Sequence, residues 1–416
     1  MTHVKDYATV TAAYWAFTLT DGALRMLVLL HFHRLGYAPL DIAMLFLLYE
    51  AMGVVTNFLG GWLGARFGLR LTLFAGLAVQ VGALAMLSLT DPAWVAALSV
   101  AYVMLAQALS GIAKDLTKMS SKSAVKLVVD AGDQGGLFKW VAMLTGSKNA
   151  LKGIGFLLGG VLLQVLGFEW ALWSMAAALA AVLVVAFALV RADLGRAKAK
   201  ITRRDLFAKT REINLLSAAR IFLFASRDVW FVVAVPIFLY DRLGWSFGEV
   251  GAFMAAWVIG YGMVQAAAPS LLGRGAAARG AGAAKLWGAV LMLIPASIAV
   301  GLAPGVALPS GVAPVLLIGG LMVFGVVFAL NSSVHSYLIV AYSDADKIAL
   351  NVGFYYMANA VGRFGGTLLS GLLYQLAGLA GTLWASAGLL AVTVAITLAL
   401  RSTVPQRGAN AASPAE

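Results

Sequence analysis

The sequence predicts an all-α polytopic membrane protein, with twelve transmembrane helices in two pseudo-symmetric six-helix bundles. Three observations predict it. The chain has 416 residues, of which 62% are hydrophobic and 12% charged, against about 25% charged in soluble domains. Its apolar runs have the length of bilayer-spanning helices, about 20 residues, and the apolar–polar alternation of membrane barrel strands is missing. The third observation is that the two halves of the chain repeat.

Twelve apolar segments follow one another, at 9–32, 41–62, 71–89, 93–113, 136–165, 168–190, 215–240, 247–270, 284–303, 313–340, 346–376 and 378–400. Segments ten and eleven are long, so their ends are expected to be polar, tilted or broken. The start, MTHVKDYATVTAAYW, lacks the layout of a cleaved leader, and the first helix is expected to be retained. The connection at 191–214 carries eight basic residues and divides an N-terminal bundle (1–190) from a C-terminal one (215–401). It is expected to lie solvated on anionic head groups. The tail at 402–416 is small, polar and expected to be disordered.

Charge sets the orientation. With both termini inside, the inner loops and tails, taken with the first two residues of segments nine and eleven, hold 21 of the 30 Lys and Arg, and the outer loops hold two, Arg34 and Arg242. Such an excess marks the cytoplasmic side. The net charge of +12 therefore reflects orientation in lipid, and no nucleic-acid partner is expected. The sequence contains no cysteine, which excludes disulfides, thiolate metal sites and catalytic thiols. Walker loops, metal-ligand spacings and catalytic triads are missing too. The reading is a transporter without cofactor, metal or enzyme activity.

The repeat is direct. RLGYAPLDIAMLFLLYEAMG from Arg34 aligns with RLGWSFGEVGAFMAAWVIGYG from Arg242 at an offset of 208, setting Asp41 on Glu249, Tyr49 on Trp257 and Arg66 on Arg274. GFLLGGVLLQ from Gly155 aligns with GTLLSGLLYQ from Gly366 at an offset of 211, setting Lys152 opposite Arg363 and Lys148 opposite Asn359. Parallel repeats with substrate at their interface near the midplane are used by alternating-access transporters.

The charges within the apolar segments carry the chemistry. A lysine at mid-bilayer costs about 2.5–3.5 kcal/mol on insertion scales, yet Lys148 and Lys152 stand one turn apart in the fifth segment. Arg25, Arg220, Arg227 and Arg363 lie in other segments, against Asp21, Glu50 and Asp228 of opposite sign. Asp21 and Arg25 have the spacing of a pair along one helix. Asp228 is expected to point away from Arg227, while Lys148, Lys152 and Arg363 have no acid near them in sequence. A surplus of buried cation argues for a translocated anion. Arg supplies planar paired donors to phosphate-like oxygens and Lys a compact point charge. The substrate-binding candidates are therefore Arg25, Lys148, Lys152, Arg220, Arg227, Arg363 and Asn359. Glu50 reads as an isolated buried acid suited to proton coupling, with Asp21 and Asp228 as competitors. Tyr14, Trp15, Tyr355 and Tyr356 are possible walls of the site, while Lys139 is expected to snorkel to the head groups.

Two glycine motifs carry a resemblance. GGWLGARFGLR (Gly60 to Arg70) resembles the signature loop of the major facilitator superfamily, with Gly61, Arg66, Gly68 and Arg70 matching and Ala65 standing where an acid is usual. Gly155, Gly159 and Gly160 resemble its glycine-rich antiporter motif, with Phe156 in place of proline. The resemblance implies the major facilitator fold. More particular are TLTDGALRMLVLLHFHRLGY (18–37), LSGIAKDLTKMSSKSAVK (109–126) and LTGSKNALKG (144–153), which resemble the ArsJ-type organoarsenical efflux permeases. That resemblance implies secondary active export of 1-arseno-3-phosphoglycerate from the bacterial inner (cytoplasmic) membrane, conferring arsenate resistance. It also implies functional coupling to a glyceraldehyde-3-phosphate dehydrogenase that makes the ester. The residues by themselves give only an organic polyanion. Lys114, Lys118, Lys122 and Lys126, at four-residue spacing, are expected to meet lipid head groups, or to form a funnel for anions at the inner mouth. Two alternatives stand beside export: an organophosphate/phosphate exchanger of the same fold, in which Glu50→Gln is tolerated, and a non-transporting membrane sensor.

Overall fold

The computed structural model describes residues 2–124, 134–190, 210–278, 280–303, 306, 309, 311–343 and 348–401. Side chains within them are described except those of 2–4, 58–67, 69, 122–123, 134–146, 269, 273–278 and 348–350. Lys126, most of the 191–214 connection and the 402–416 tail lie outside the described residues. So do the side chains of Ala65, Arg66, Lys122, Lys139 and Arg274.

Ten helices are found among the described residues: α1 Thr2–Arg34, α2 Pro39–Ser88, α3 Ala96–Ala124, α4 Gln134–Leu189, α5 Arg211–Phe231, α6 Ala234–Leu243, α7 Phe247–Ala278, α8 Gly280–Gly301, α9 Val312–Ala341 and α10 Ile348–Leu398. Three of them turn at a glycine in the left-handed region: Gly68 in α2 (φ 73°), Gly167 in α4 (φ 75°) and Gly378 in α10 (φ 63°). Only a residue without Cβ takes that backbone cheaply. In the 60–70 motif the break falls on Gly68 alone, while Gly64 is helical. Nine stretches of the described residues are long and apolar enough to cross a bilayer. Two of them, Ser147–Leu189 and Asn351–Leu398, have 43 and 48 residues, which is about twice the length one crossing needs. Helix α1 is not among the nine, diluted as it is by Lys5, Asp6, Asp21 and Arg25.

One expected segment, 215–240, is broken where no break was anticipated. Helix α5 ends at Phe231 and α6 resumes at Ala234. Pro236 is the cause, because proline cannot donate to the carbonyl four residues back and its ring crowds it. The freed amides of Val233 and Ala234 both donate to Ser370 Oγ on α10, at 3.1 and 3.2 Å. A buried side chain thus satisfies backbone that lipid cannot. At its other end α5 begins at Arg211, within the expected linker, with Thr210 Oγ1 accepting from the Ile213 amide.

Helix α1 packs on α4, α2 on α3 and α5 on α10, while the contacts between the first and second halves of the chain are chiefly α4 on α7 and α2 on α10. The glycine pattern explains these close approaches. A Cβ on Gly155 would fall 2.5 Å from the Leu19 carbonyl, and one on Gly159 2.2 Å from that of Ala23. Across the halves, a Cβ on Gly160 would meet the Phe247 carbonyl and one on Gly371 the Pro39 carbonyl, each at 2.3 Å. Those two contacts are related by the repeat: Gly160 aligns with Gly371, and Pro39 with Phe247. Small residues at such crossings let helix backbones touch.

The face that carries residues 34–39 and 243–247 (the distal face) is further tied by three contacts between the halves. His33 Nε2 lies 2.8 Å from Asp241 Oδ1, the Leu40 amide donates to Gln375 at 3.2 Å, and the Gly248 amide donates to Gln164 at 3.3 Å. His33 and Asp241 are 208 positions apart, so they are equivalent positions of the repeat meeting each other. Apolar side chains such as Val165, Trp170, Leu271 and Leu376 are exposed, as a lipid-facing surface requires.

Candidate substrate cavity

Glu50 sits about three turns into α2 from Pro39, a depth of about 17 Å at helical rise and close to the middle of a 30 Å hydrocarbon layer. Its side chain is 1% exposed, and its Oε1 accepts from two guanidinium groups: Arg25 Nη2 at 2.6 Å and Arg363 Nη2 at 2.5 Å. Arg25 comes from α1 and Arg363 from α10, so this carboxylate joins the two halves. Arg363 Nε lies 3.5 Å from Asp228 Oδ2, and Asp228 Oδ1 holds Arg227 Nη2 at 2.5 Å. The five groups form an alternating chain, Arg25–Glu50–Arg363–Asp228–Arg227, with three cations and two anions.

Several sequence expectations are corrected by this geometry. Glu50 is not isolated. Arg363 is not without an acid, and Asp228 turns toward Arg227 rather than away. Asp21 and Arg25 do not pair along α1. Asp21 instead accepts from the Tyr49 hydroxyl at 2.7 Å and has Lys152 Nζ at 3.9 Å, so Lys152 also has an acidic neighbour. For Glu50, Arg363, Asp21 and Lys152 the cause is common: sequence spacing reports neighbours on one helix, and these partners come from different helices. For Asp228 it is side-chain reach, since Arg227 and Asp228 are adjacent on α5 and the long guanidinium turns back to the carboxylate.

Beside this chain lies a cavity of about 170 Å³, room for on the order of ten waters. Lys148, Lys152, Asn359 and Arg363 line it, as do Asp21 and Glu50. The two repeat-related pairs, Lys152 with Arg363 and Lys148 with Asn359, therefore face one space. Arg25, Arg227 and Asp228 do not line it and stand behind as partners of residues that do. Arg220 belongs to neither group. It donates to Ser332 Oγ at 2.9 Å and packs its guanidinium on the Phe224 and Tyr355 rings, at 4.0 and 4.7 Å.

The cavity continues toward the opposite, proximal face with two lysines for which the sequence left head-group contact and an anion funnel both open. Lys114 and Lys118 line it, not the lipid head groups. Lys114 Nζ lies 4.0 Å from the Tyr49 ring centre, a cation–π contact. Lys118 Nζ donates to Asn57 Oδ1 at 2.8 Å and pairs with Asp115 at 3.2 Å, while Thr56 donates to the other oxygen of Asp115. The four-residue spacing of these lysines did signal a shared helix face, but periodicity could not say whether that face met lipid or the bundle. Tyr14 and Tyr356 line the cavity; Trp15 and Tyr355 do not. Trp15 is half-exposed and donates to Ser147 Oγ at 3.0 Å.

The lining thus brings together five cations, Lys114, Lys118, Lys148, Lys152 and Arg363, and three acids, Asp21, Glu50 and Asp115. The balance is two positive charges in a site walled by low-dielectric helices, where an anion is attracted far more strongly than in water. No group of acidic and histidine side chains among the described residues is arranged to hold a metal.

Comparisons with known proteins agree with this architecture. A family model described as Major Facilitator Superfamily matches residues 9–329. No match was found among curated proteins. Among solved structures, the nucleoside transporter NupG superposes with a TM-score of 0.72 at 16% identity, covering 96% of this chain and 100% of that one. A structure described as showing substrate recognition in proton-dependent oligopeptide transporters gives 0.68 at 15% identity, covering 95% and 98%. The human organic anion transporter MFSD10 (TETRAN) gives 0.62 at 18% identity, again covering 95% and 98%. At these identities the structures speak for the fold alone, whereas the family match spans most of the sequence. The chain is a multi-pass membrane protein and a secondary transporter, not an enzyme, and it belongs to the Major Facilitator Superfamily.

Proposed function

We propose that this protein is a secondary active efflux carrier for a small organic polyanion, 1-arseno-3-phosphoglycerate, working by alternating access in a bacterial inner membrane. The observation that carries the anion reading is the cavity lining, with five cations against three acids. One phosphate-like group, with about 1.5–2 negative charges at pH 7, already offsets that surplus of two. The absence of cysteine fits an oxyanion form of arsenic, which needs no soft thiolate. The arseno-ester itself, and its supply by a glyceraldehyde-3-phosphate dehydrogenase, rest on the resemblance of 18–37, 109–126 and 144–153 to ArsJ-type permeases.

In this reading the broken helices α2, α4 and α10 each make two passes, α5 and α6 together make one, and twelve passes divide into bundles at 1–190 and 215–401. The basic inner loops put both termini in the cytoplasm, so the proximal face is the inner one. The distal contacts then represent a carrier closed to the outside. Lys114 and Lys118 lead the anion inward, and its charged oxygens compete with Glu50 for Arg363 and with Asp21 for Lys152. Once Arg363 is shared with cargo, the Glu50 link between the halves weakens and the bundles can rock.

Proton coupling is assigned to Asp21. Neutralising Glu50 leaves Arg25 and Arg363 facing each other, whereas neutralising Asp21 releases only Lys152, 3.9 Å away. Asp21→Asn should therefore keep substrate exchange while removing the response to an imposed pH gradient; an unchanged gradient response in this variant rules out the assignment.

The substrate is tested in everted vesicles from cells expressing the chain, following radiolabelled arsenate with and without glyceraldehyde-3-phosphate, the dehydrogenase and NAD. Accumulation should require the complete mixture. Exchange of phosphoglycerate against phosphate, with no arsenate accumulation, replaces the arsenic assignment with the organophosphate exchanger.

A further inference from the structure

We propose that Arg220 anchors a second, separate site in the C-terminal half, one that holds a small monovalent inorganic anion such as chloride. Four of the described arginines, Arg25, Arg220, Arg227 and Arg363, lie well inside apolar segments rather than at their ends. Arg25, Arg227 and Arg363 each have a carboxylate within 2.6 Å. Arg220 is only 4% exposed and, among the described residues, has no carboxylate within ion-pair distance. Glu212, on the same helix, is taken by Arg401 at 3.4 Å, and Asp228 is shared by Arg227 and Arg363. A buried charge without a counter-charge is among the most costly arrangements a protein can hold.

The neighbours of Arg220 are neutral. Its Nη1 donates to Ser332 Oγ at 2.9 Å and to the Ser332 carbonyl at 3.4 Å, but its Nε has no partner. His335, one turn beyond Ser332 on α9, is fully buried within electrostatic reach of the guanidinium, and neither ring nitrogen is bonded. Ser217, one turn before Arg220 on α5, has an unpartnered buried hydroxyl. Water would satisfy the hydrogen bonds of such a cluster and leave its charge uncompensated; a monovalent anion satisfies both.

Enclosure sets the size. The guanidinium lies against the Phe224 and Tyr355 rings, and Arg220, Ser332 and His335 do not line the central cavity. Tyr355 is buried while the adjacent Tyr356 faces the cavity, so this pair of residues separates the two sites. A single buried guanidinium needs only a single counter-charge. The anion is a fixed part of the C-terminal bundle, independent of which cargo the carrier moves.

The test is thermal unfolding of the full chain, purified in detergent micelles, with chloride replacing gluconate at constant ionic strength. Ligand that binds only the folded state raises the melting temperature saturably. Wild type should show that rise, and Arg363→Gln, altered in the central cavity, should show it too. Arg220→Gln should lose it. His335→Ala and Ser217→Ala keep the guanidinium, and each should weaken the apparent chloride affinity several-fold; these two carry the test if Arg220→Gln does not fold. A wild-type protein insensitive to chloride overturns the proposal. So does a response that is the same in wild type, His335→Ala and Ser217→Ala, or one that disappears in Arg363→Gln.

Discussion

Arg363→Ala should abolish transport while leaving the protein folded in the membrane. Among the described residues, Arg363 is the one that touches Glu50, Asp228 and the cavity together. Truncating one partner of a buried, hydrogen-bonded charge pair costs about 2–5 kcal/mol, and each 1.4 kcal/mol is about tenfold in affinity. Loss of transport by a factor of about a hundred or more is the expected scale. Stability should suffer less, because no carboxylate is stranded: Glu50 keeps Arg25, and Asp228 keeps Arg227. Arg363→Lys should fall between, since an ammonium has no planar fork to reach two carboxylates at once. Lys152→Ala should also abolish transport, with Asp21 still held by Tyr49. The measurement is vesicle uptake beside a gel-filtration profile of each variant. Wild-type uptake in both alanine variants would sink the central-site reading.

Much of the fold was legible because lipid imposes a simple rule. Apolar runs of the right length, separated by basic or glycine-rich connections, mark helices whatever they pack against. The repeat was legible for the same reason, and it set Lys152 opposite Arg363, two residues that line one cavity. What could not be read was pairing across helices. Arg25 lies four positions from Asp21 and pairs with Glu50, which is 25 positions away; Arg363 reaches the same carboxylate across 313 positions. No local pattern encodes such distances. The break in the seventh segment was announced by Pro236, but proline is tolerated in membrane helices wherever a neighbour satisfies the freed amides, and that neighbour, Ser370, is 137 residues from Val233. Lys114 and Lys118 were ambiguous for a different reason. Lysines at the end of an apolar run usually mark the head-group layer, and only the packing of α3 against α2 turns this face inward.

Glu50→Gln should damage the folded state itself, and this separates its role from that of a titrating acid. The variant removes the one negative charge shared by Arg25 and Arg363, both in the buried centre. Removing one member of a buried ionic cluster typically costs about 3–5 kcal/mol, because the charge left behind has no partner. Arg363 retains Asp228 at 3.5 Å, so the stranded group is Arg25, which is 7% exposed. The double variant Arg25→Gln/Glu50→Gln should therefore be more stable than Glu50→Gln alone, with a coupling energy of about 0.5–3 kcal/mol, as for directly contacting residues. Pairing Glu50→Gln with Arg363→Gln should restore less, since Arg25 is still stranded. Thermal unfolding of the four proteins decides the order. A Glu50→Gln protein as stable as wild type, exchanging substrate but deaf to a pH gradient, would return Glu50 to the role of a lone proton carrier. Loss of stability with rescue by Arg25→Gln fixes it instead as the clasp between the halves, which the carrier must open and close in every cycle.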